Sequence, residues 1–171
     1  MQVFVELWAV CIVAIAFRAV QDQVAFANMQ PALEGSTRTC STTVIDAAPV
    51  EFPRHRGSVT AKPYQFGYAC SPSAEPGWPT LKYDLHSGAR TTLDHGPGRS
   101  SGEPVFVGRQ NATAEDDGWL ITFVHDVPNE RAELAVIDAQ EMRVVASVQL
   151  PQRVPYGFHG NWVSDRSVPP A

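Results

Sequence analysis

From Thr42 onward, apolar and polar positions alternate in short runs: TTVIDA, YQFGYAC, TLKYDL, ARTTLDH, PVFVGR, WLITFVHD, ELAVIDA and RVVASVQL. None keeps a 3.6-residue period long enough for a helix. Most are rich in Val, Ile, Thr, Tyr and Phe, which suit a pleated, half-buried strand. The breaks between them, such as SPSAEPGWP, HGPGRSSGEP and DVPNE, are dense in Gly, Pro, Ser, Asn and Asp, which supply turn geometry. The pattern predicts an all-β, mostly antiparallel protein.

One unit recurs. An apolar strand ends in aspartate, a short turn follows and a second strand returns, as in LKYDLHSGARTTL, LAVIDAQEMRVVASVQL and, less completely, TTVIDAAPVEF. The aspartates Asp46, Asp84 and Asp138 lie 38 and 54 residues apart, near the ~40–50 residues of a four-stranded propeller blade. A β-sandwich also has many short strands, but it does not call for the same hairpin once per blade length. Roughly three blades fit the chain, short of the four or more that close a propeller.

The first twenty residues, MQVFVELWAVCIVAIAFRAV, are apolar but do not suit a membrane span. Glu6 and Arg18 confine the uncharged run to 11 residues, against the ~20 needed to cross a bilayer. No positive charge precedes that run, as a signal peptide requires. Over all 171 residues, 44% are hydrophobic and 18% charged, with a net charge of -5. This is ordinary globular composition, and without a basic cluster it excludes a nucleic-acid partner. Cys11, Cys40 and Cys70 are widely spaced with no CxxC, which suggests neither a zinc clip nor a disulfide framework and fits a cytoplasmic, reducing compartment. Asn111-Ala112-Thr113 matches the glycosylation sequon, which matters only in a secreted chain.

The five histidines, His55, His86, His95, His125 and His159, form no HxH, HxxxH or HExxH, so a metal site would have to be assembled from distant segments. His86 and His95 sit in turn sequences, His55 in the basic stretch PRHR and His125 at a strand end, where an exposed or structural histidine is ordinary. His159 differs. It stands in LPQRVPYGFHGNW, where two prolines forbid a helix or a central strand, so it serves either packing or chemistry. No GxSxG, paired Cys and His, or phosphate-binding loop is present. Glu51 in VEFPR and Glu103 in GEPVFV stand near strand starts, where a carboxylate either faces solvent or accepts the second N–H of a metal-bound imidazole.

Taken in order, EFPR, YDLHSG, GPGRSSGEPVFV, ATAEDDGWLITFVHD, LAVIDAQEM and LPQRVPYGFHGNW resemble the closing third of the carotenoid cleavage oxygenase family. That family includes the apocarotenoid and stilbene-cleaving enzymes and the retinal pigment epithelium isomerase. The resemblance covers residues 36–163, leaving an apolar, weakly matched segment at 1–35 and a tail at 164–171. It implies the C-terminal blades of a seven-bladed β-propeller whose axis carries ferrous iron (Fe2+) held by four histidines. His159 in GFHG matches the last of these ligands. Glu51 and Glu103 match two glutamates that orient ligand imidazoles, and the other four histidines match no ligand.

The resemblance also implies an apolar polyene or stilbenoid substrate and dioxygen, with peripheral rather than spanning membrane contact. The family's first three iron histidines lie upstream of this region, and residues 1–35 contain no histidine. AVQDQVAFANMQPALEG resembles the segment that follows the third of them. The chain is therefore expected to be a truncated or separately encoded C-terminal piece, prone to self-association through exposed blade edges. It would be inactive alone, since one imidazole does not hold iron. The rival expectation is a non-catalytic propeller fragment or interaction module without iron.

Overall fold

The computed structural model describes residues 26–34, 37–72, 77–157 and 159–164. Its strands are β1 (Phe26–Glu34), β2 (Thr37–Asp46), β3 (Glu51–Arg54), β4 (Phe66–Cys70), β5 (Thr80–Asp84), β6 (Arg90–Leu93), β7 (Arg99–Ser101), β8 (Val105–Gly108), β9 (Gly118–Asp126), β10 (Arg131–Asp138) and β11 (Arg143–Gln149). The helical content among the described residues is one 3-10 turn at Gly57–Val59, and no helix among them is long and apolar enough to cross a membrane.

The strands pair antiparallel as a β1-β2 hairpin, a sheet in the order β3-β4-β5-β6, and a sheet in the order β11-β10-β9-β7 with β8 also on β9. β7 and β8 share one edge of β9. Ser101 faces Val124 and Val105 faces Ile121, so the two strands are halves of one strand position. Each larger sheet is thus a four-position meander with the layout of a propeller blade.

The first strand position is bulged in both sheets. Glu51 pairs with Cys70 and Arg54 with Tyr68, so three steps on β3 match two on β4. Between Ser101 and Val105, four steps match three on β9. Each bulge contains a proline, Pro53 or Pro104, which brings no N–H to the ladder. Phe52 takes a positive φ of 53°, a conformation costly for a bulky residue. Bulges turn side chains out of the regular pleat, and here the glutamates Glu51 and Glu103 sit at or beside them.

The repeated aspartates have a structural cause at two of the three positions. Asp84 and Asp138 end the third strand of their sheets, and each Oδ1 accepts turn N–H groups, from His86 at 3.0 Å and from Glu141 at 2.9 Å. Such Asx turns open the hairpins to β6 and β11. Asp46 does not open a hairpin. It ends β2, accepts the Ala48 N–H, and receives the Tyr83 hydroxyl and the Arg90 guanidinium, tying the chain to β5 and β6.

The sheets pack face to face. Tyr68 from the first meets Leu120, Ile137, Ala139 and Met142 from the second, with Phe66, Leu93 and Phe106 around them. The other face of the first sheet carries Val50, Ala69, Leu81 and Tyr83, against Ile45 and Leu85. The described residues therefore hold two complete blade-like sheets and one hairpin rather than three blades. The weakly matched segment 1–35 holds strand β1, while residues 1–25, including Cys11, lie outside the described residues.

Candidate functional site

After β11, Tyr156 lies on His125 of β9, and His159 and Gly160 lie against the bulged first strands without joining a ladder. Glu103 fastens them there. Its side chain is only 6% exposed, and its carboxylate accepts from His159 Nδ1 at 3.1 Å and from the Gly160 N–H at 2.6 Å. Arg54 Nε lies 3.5 Å from the same carboxylate, and Arg54 Nη2 donates to the Gly160 carbonyl at 2.7 Å. Phe52, displaced by its own bulge, sets its ring at 89° to the His159 ring with centroids 5.8 Å apart.

This geometry determines the imidazole's chemistry. A carboxylate can only accept, so the hydrogen bond places the proton on Nδ1 and leaves the Nε2 lone pair open. The His159 side chain is 75% exposed, and that lone pair is available to a metal or a donor. A carboxylate behind a ring nitrogen is the arrangement that orients metal-binding histidines.

Glu51 is placed differently. It is paired in the ladder just before its bulge, where Glu103 lies unpaired within the second bulge, and its neighbour is Cys70 across β3 and β4. The buried Cys70 thiol is pushed up to about 12, first by burial, then by the Glu51 carboxylate and more weakly by Glu103. Both glutamates thus lie around one thiol, and only Glu103 bonds to His159.

The other histidines are engaged elsewhere. His86 is exposed in the β5-β6 turn. His95 bonds Thr80 Oγ1 at 2.9 Å, and burial, aided by Arg99, pushes it down to about 4. His55 lies 3.4 Å from Thr60 Oγ1 and edges Tyr64. His125, next to the end of β9, is buried rather than exposed. It is 3% exposed, its ring lies 4.2 Å from Tyr156, and its Nδ1 has no hydrogen-bond partner among the described residues. Burial, with Arg153 nearby, lowers its pKa and keeps the ring neutral. Tyr156 covers His125 from a loop 31 residues further on, a contact with no local signal in FVHD. Arg54 has no local signal either, since its partners Glu103 and Gly160 lie far along the chain.

A groove of about 410 Å³ runs beside the site, walled by Phe52, Ile121, Phe123, Leu134, Tyr156 and Trp162. Among the described residues no group of three or more His, Cys, Asp or Glu side chains converges to hold a metal ion. The chain supplies one oriented nitrogen donor, which does not make an iron site by itself.

Comparison with known proteins gives this site its context. Residues 16–164 match the family described as retinal pigment epithelial membrane protein, further upstream than the residue 36 boundary expected from the motifs. The chain is 36% identical over 118 residues to the apocarotenoid-15,15'-oxygenase of Synechocystis, covering 66% of this chain and 24% of the relative. It is 34% identical over 148 residues to the carotenoid cleavage oxygenase of Mycobacterium tuberculosis, covering 79% and 30%. The solved structure of the cobalt-substituted Synechocystis enzyme superposes with a TM-score of 0.72 at 28% identity, over 86% of this chain and 32% of that one. The chain thus spans about a quarter to a third of these relatives. They are oxygenases of β-propeller fold, one of them solved with a metal ion in place. With the family match running from residue 16 to residue 164, the chain belongs to the retinal pigment epithelial membrane protein family, the carotenoid cleavage oxygenases.

Proposed function

We propose that this chain forms the C-terminal part of an oxygenase that splits a C=C double bond of a carotenoid, apocarotenoid or stilbenoid with dioxygen. His159 is its contribution to a ferrous iron centre. The observation that carries this reading is the Glu103 to His159 bond, which engages Nδ1 and leaves Nε2 directed away from the carboxylate. Arg54 holds the glutamate and the Gly160 carbonyl together, and Phe52 limits rotation of the ring. Glu51, beside the bulge of the first sheet, supports an imidazole contributed from outside this chain. The relatives' names, carotenoid cleavage oxygenase and apocarotenoid oxygenase, point to the substrate class.

On this reading the isolated 171-residue chain is inactive, because its other four histidines lie in other contacts or in solvent. Anaerobic titration of the purified chain with ferrous iron should give weak binding at His159 and no absorbance change with a carotenoid or stilbene. Cobalt(II) should broaden the His159 ring resonances, and Glu103→Ala should remove that effect. Stoichiometric iron with turnover would overturn the inactivity. The lack of a second converging imidazole favours a second reading, a non-catalytic fragment or interaction module. Cobalt that leaves His159 untouched at millimolar concentration would establish it.

A further inference from the structure

Past β11 the chain loses its backbone anchorage. The Leu150 N–H donates to the Ala132 carbonyl at 3.1 Å, and among the described residues no later backbone N–H bonds to a backbone carbonyl. Gly157 and Gly160 stand on either side of His159. A Cβ added at Gly157 would meet nothing within 4 Å, so packing does not restrain the backbone there, and glycine has the most conformational freedom to lose. His159 therefore depends on side-chain contacts for its place. The bonds of Glu103 and Arg54 to His159 and Gly160 form one such anchor.

Tyr156 forms a second anchor, three residues before His159. Its ring centroid lies 4.2 Å from that of His125 at an interplanar angle of 40°, and the Arg153 guanidinium lies 5.3 Å from the Tyr156 centroid. His125 is a rigid base for this stack. It is paired on both sides within the sheet, with Ser100 of β7 and Ala132 of β10, and is 3% exposed. Its Nδ1 has no hydrogen-bond partner among the described residues, so Tyr156 meets it as a ring surface. Tyr156 is 53% exposed and lies outside the ladders. The phenol, rather than the imidazole, is the ring free to leave when the contact is lost.

We infer that His125 and Tyr156 are a positioning pair for His159: their stack fixes the chain just upstream of the imidazole and limits how far it strays from Glu103 and Phe52. This role rests on the reading of His159 as a metal donor. Its size follows from chain length. Tyr156 is four residues from Gly160, whereas Leu150, the nearest point held by the backbone, is ten residues away. Loop closure costs (3/2)RT ln n, so losing the nearer point should weaken the hold of Glu103 on Gly160 by about fourfold. A ring pair that only stabilised the fold would instead loosen the sheets along with the site.

The test is hydrogen exchange of the metal-free 171-residue chain, read at the Gly160 amide that Glu103 holds. Tyr156→Ala should speed exchange there about fourfold, with the amides of β9 and β10 as protected as in the parent. His125→Ala should do the same, and the double variant should be no faster than either single one, since two residues acting as one unit are not additive. His125→Phe and Tyr156→Phe keep a ring on each side and should stay within about twofold of the parent. Three results would overturn the pair: unchanged Gly160 exchange in Tyr156→Ala, a double variant about sixteenfold faster than the parent, or an acceleration spread equally over β9 and β10. Cobalt(II) chloride is then added to the parent chain. If it leaves the His159 ring resonances untouched, the metal-donor reading falls, while exchange, measured without metal, still decides whether His125 and Tyr156 fix the place of His159.

Discussion

Lys82 of β5 reaches across the sheet interface to Asp116, with Nζ at 2.7 Å from Oδ2, and donates a second bond to the Ala139 carbonyl at 2.8 Å. Both side chains are almost wholly buried, and the ammonium also lies 4.4 Å from the Phe66 ring centroid. This pair fixes how one sheet sits on the other. Removing one partner leaves a buried charge uncompensated, so Lys82→Ala should cost about 3–5 kcal/mol in chemical denaturation. The double variant Lys82→Met with Asp116→Leu should recover most of that loss, because an apolar pair of similar volume needs no desolvated charge. Equal losses in the single and double variants would mean the pair contributes only packing.

Glu103 is the second point of leverage. Glu103→Ala leaves the Gly160 N–H, the His159 Nδ1–H and the Arg54 guanidinium without their acceptor. Each unsatisfied group costs about 1–3 kcal/mol when shielded from water. The Gly160 amide makes the shorter bond, at 2.6 Å, and should carry most of the effect. Its hydrogen exchange should accelerate by about one to two orders of magnitude, while amides of β9 and β10 stay protected. Nitrogen-15 spectra should show His159 as the Nδ1–H tautomer in the parent chain and as a mixture in the variant.

How much of this was legible beforehand differs by residue. Asp84 and Asp138 could be read from the repeat, because a turn that takes its N–H groups onto a preceding carboxylate leaves a local signature. Asp46 looked the same in TTVIDA but serves long-range partners, Tyr83 and Arg90, which no local pattern encodes. The bulges at Glu51 and Glu103 were invisible, since they are one-residue slips between strands paired across intervening loops. His159 and Glu103 are 56 residues apart, and only the ordered resemblance of motifs named them as partners. TTVIDAAPVEF resembles a hairpin within one sheet, but Asp46 ends β2 and Glu51 begins the next sheet, a break between sheets that the local pattern does not mark.

Cys70 offers a readout of Glu51. With the thiol pushed up to about 12, only about one molecule in ten thousand carries a thiolate at pH 8. Alkylation of Cys70, followed by peptide mass spectrometry, should be negligible in the native chain and fast in denaturant. Glu51→Gln removes the carboxylate beside the thiol and should raise the native rate, while Glu141→Gln in the exposed β10-β11 turn should not. No change in Glu51→Gln would show that access, rather than thiolate formation, limits the reaction.

Acid should destabilise the chain in two stages whose order follows from the signs of the shifts. His95 is held near 4 by burial and by Arg99, below the roughly 6.5 of an unfolded histidine. Between those values the unfolded chain binds a proton that the folded chain does not, so stability falls as pH drops from about 6.5 to about 4. The lowered His55 and His125 act in the same direction. Below about 4 the aspartates take over. Asp84 is depressed to about 2 by the Ser87 hydroxyl bond and the turn N–H groups, and Asp138 is lowered by the Glu141 and Gln140 N–H groups and by Arg109. Their stabilisation is present above the unfolded carboxylate value and is lost as pH falls through the folded one. Urea midpoints measured from pH 7 to pH 3 should therefore decline in both windows. His95→Gln, which keeps a hydrogen-bonding group for Thr80 but cannot titrate, should flatten the upper window and leave the lower one unchanged. A profile flat from pH 6.5 to pH 4 in the parent chain would show that the His95 ring is not held neutral by the fold.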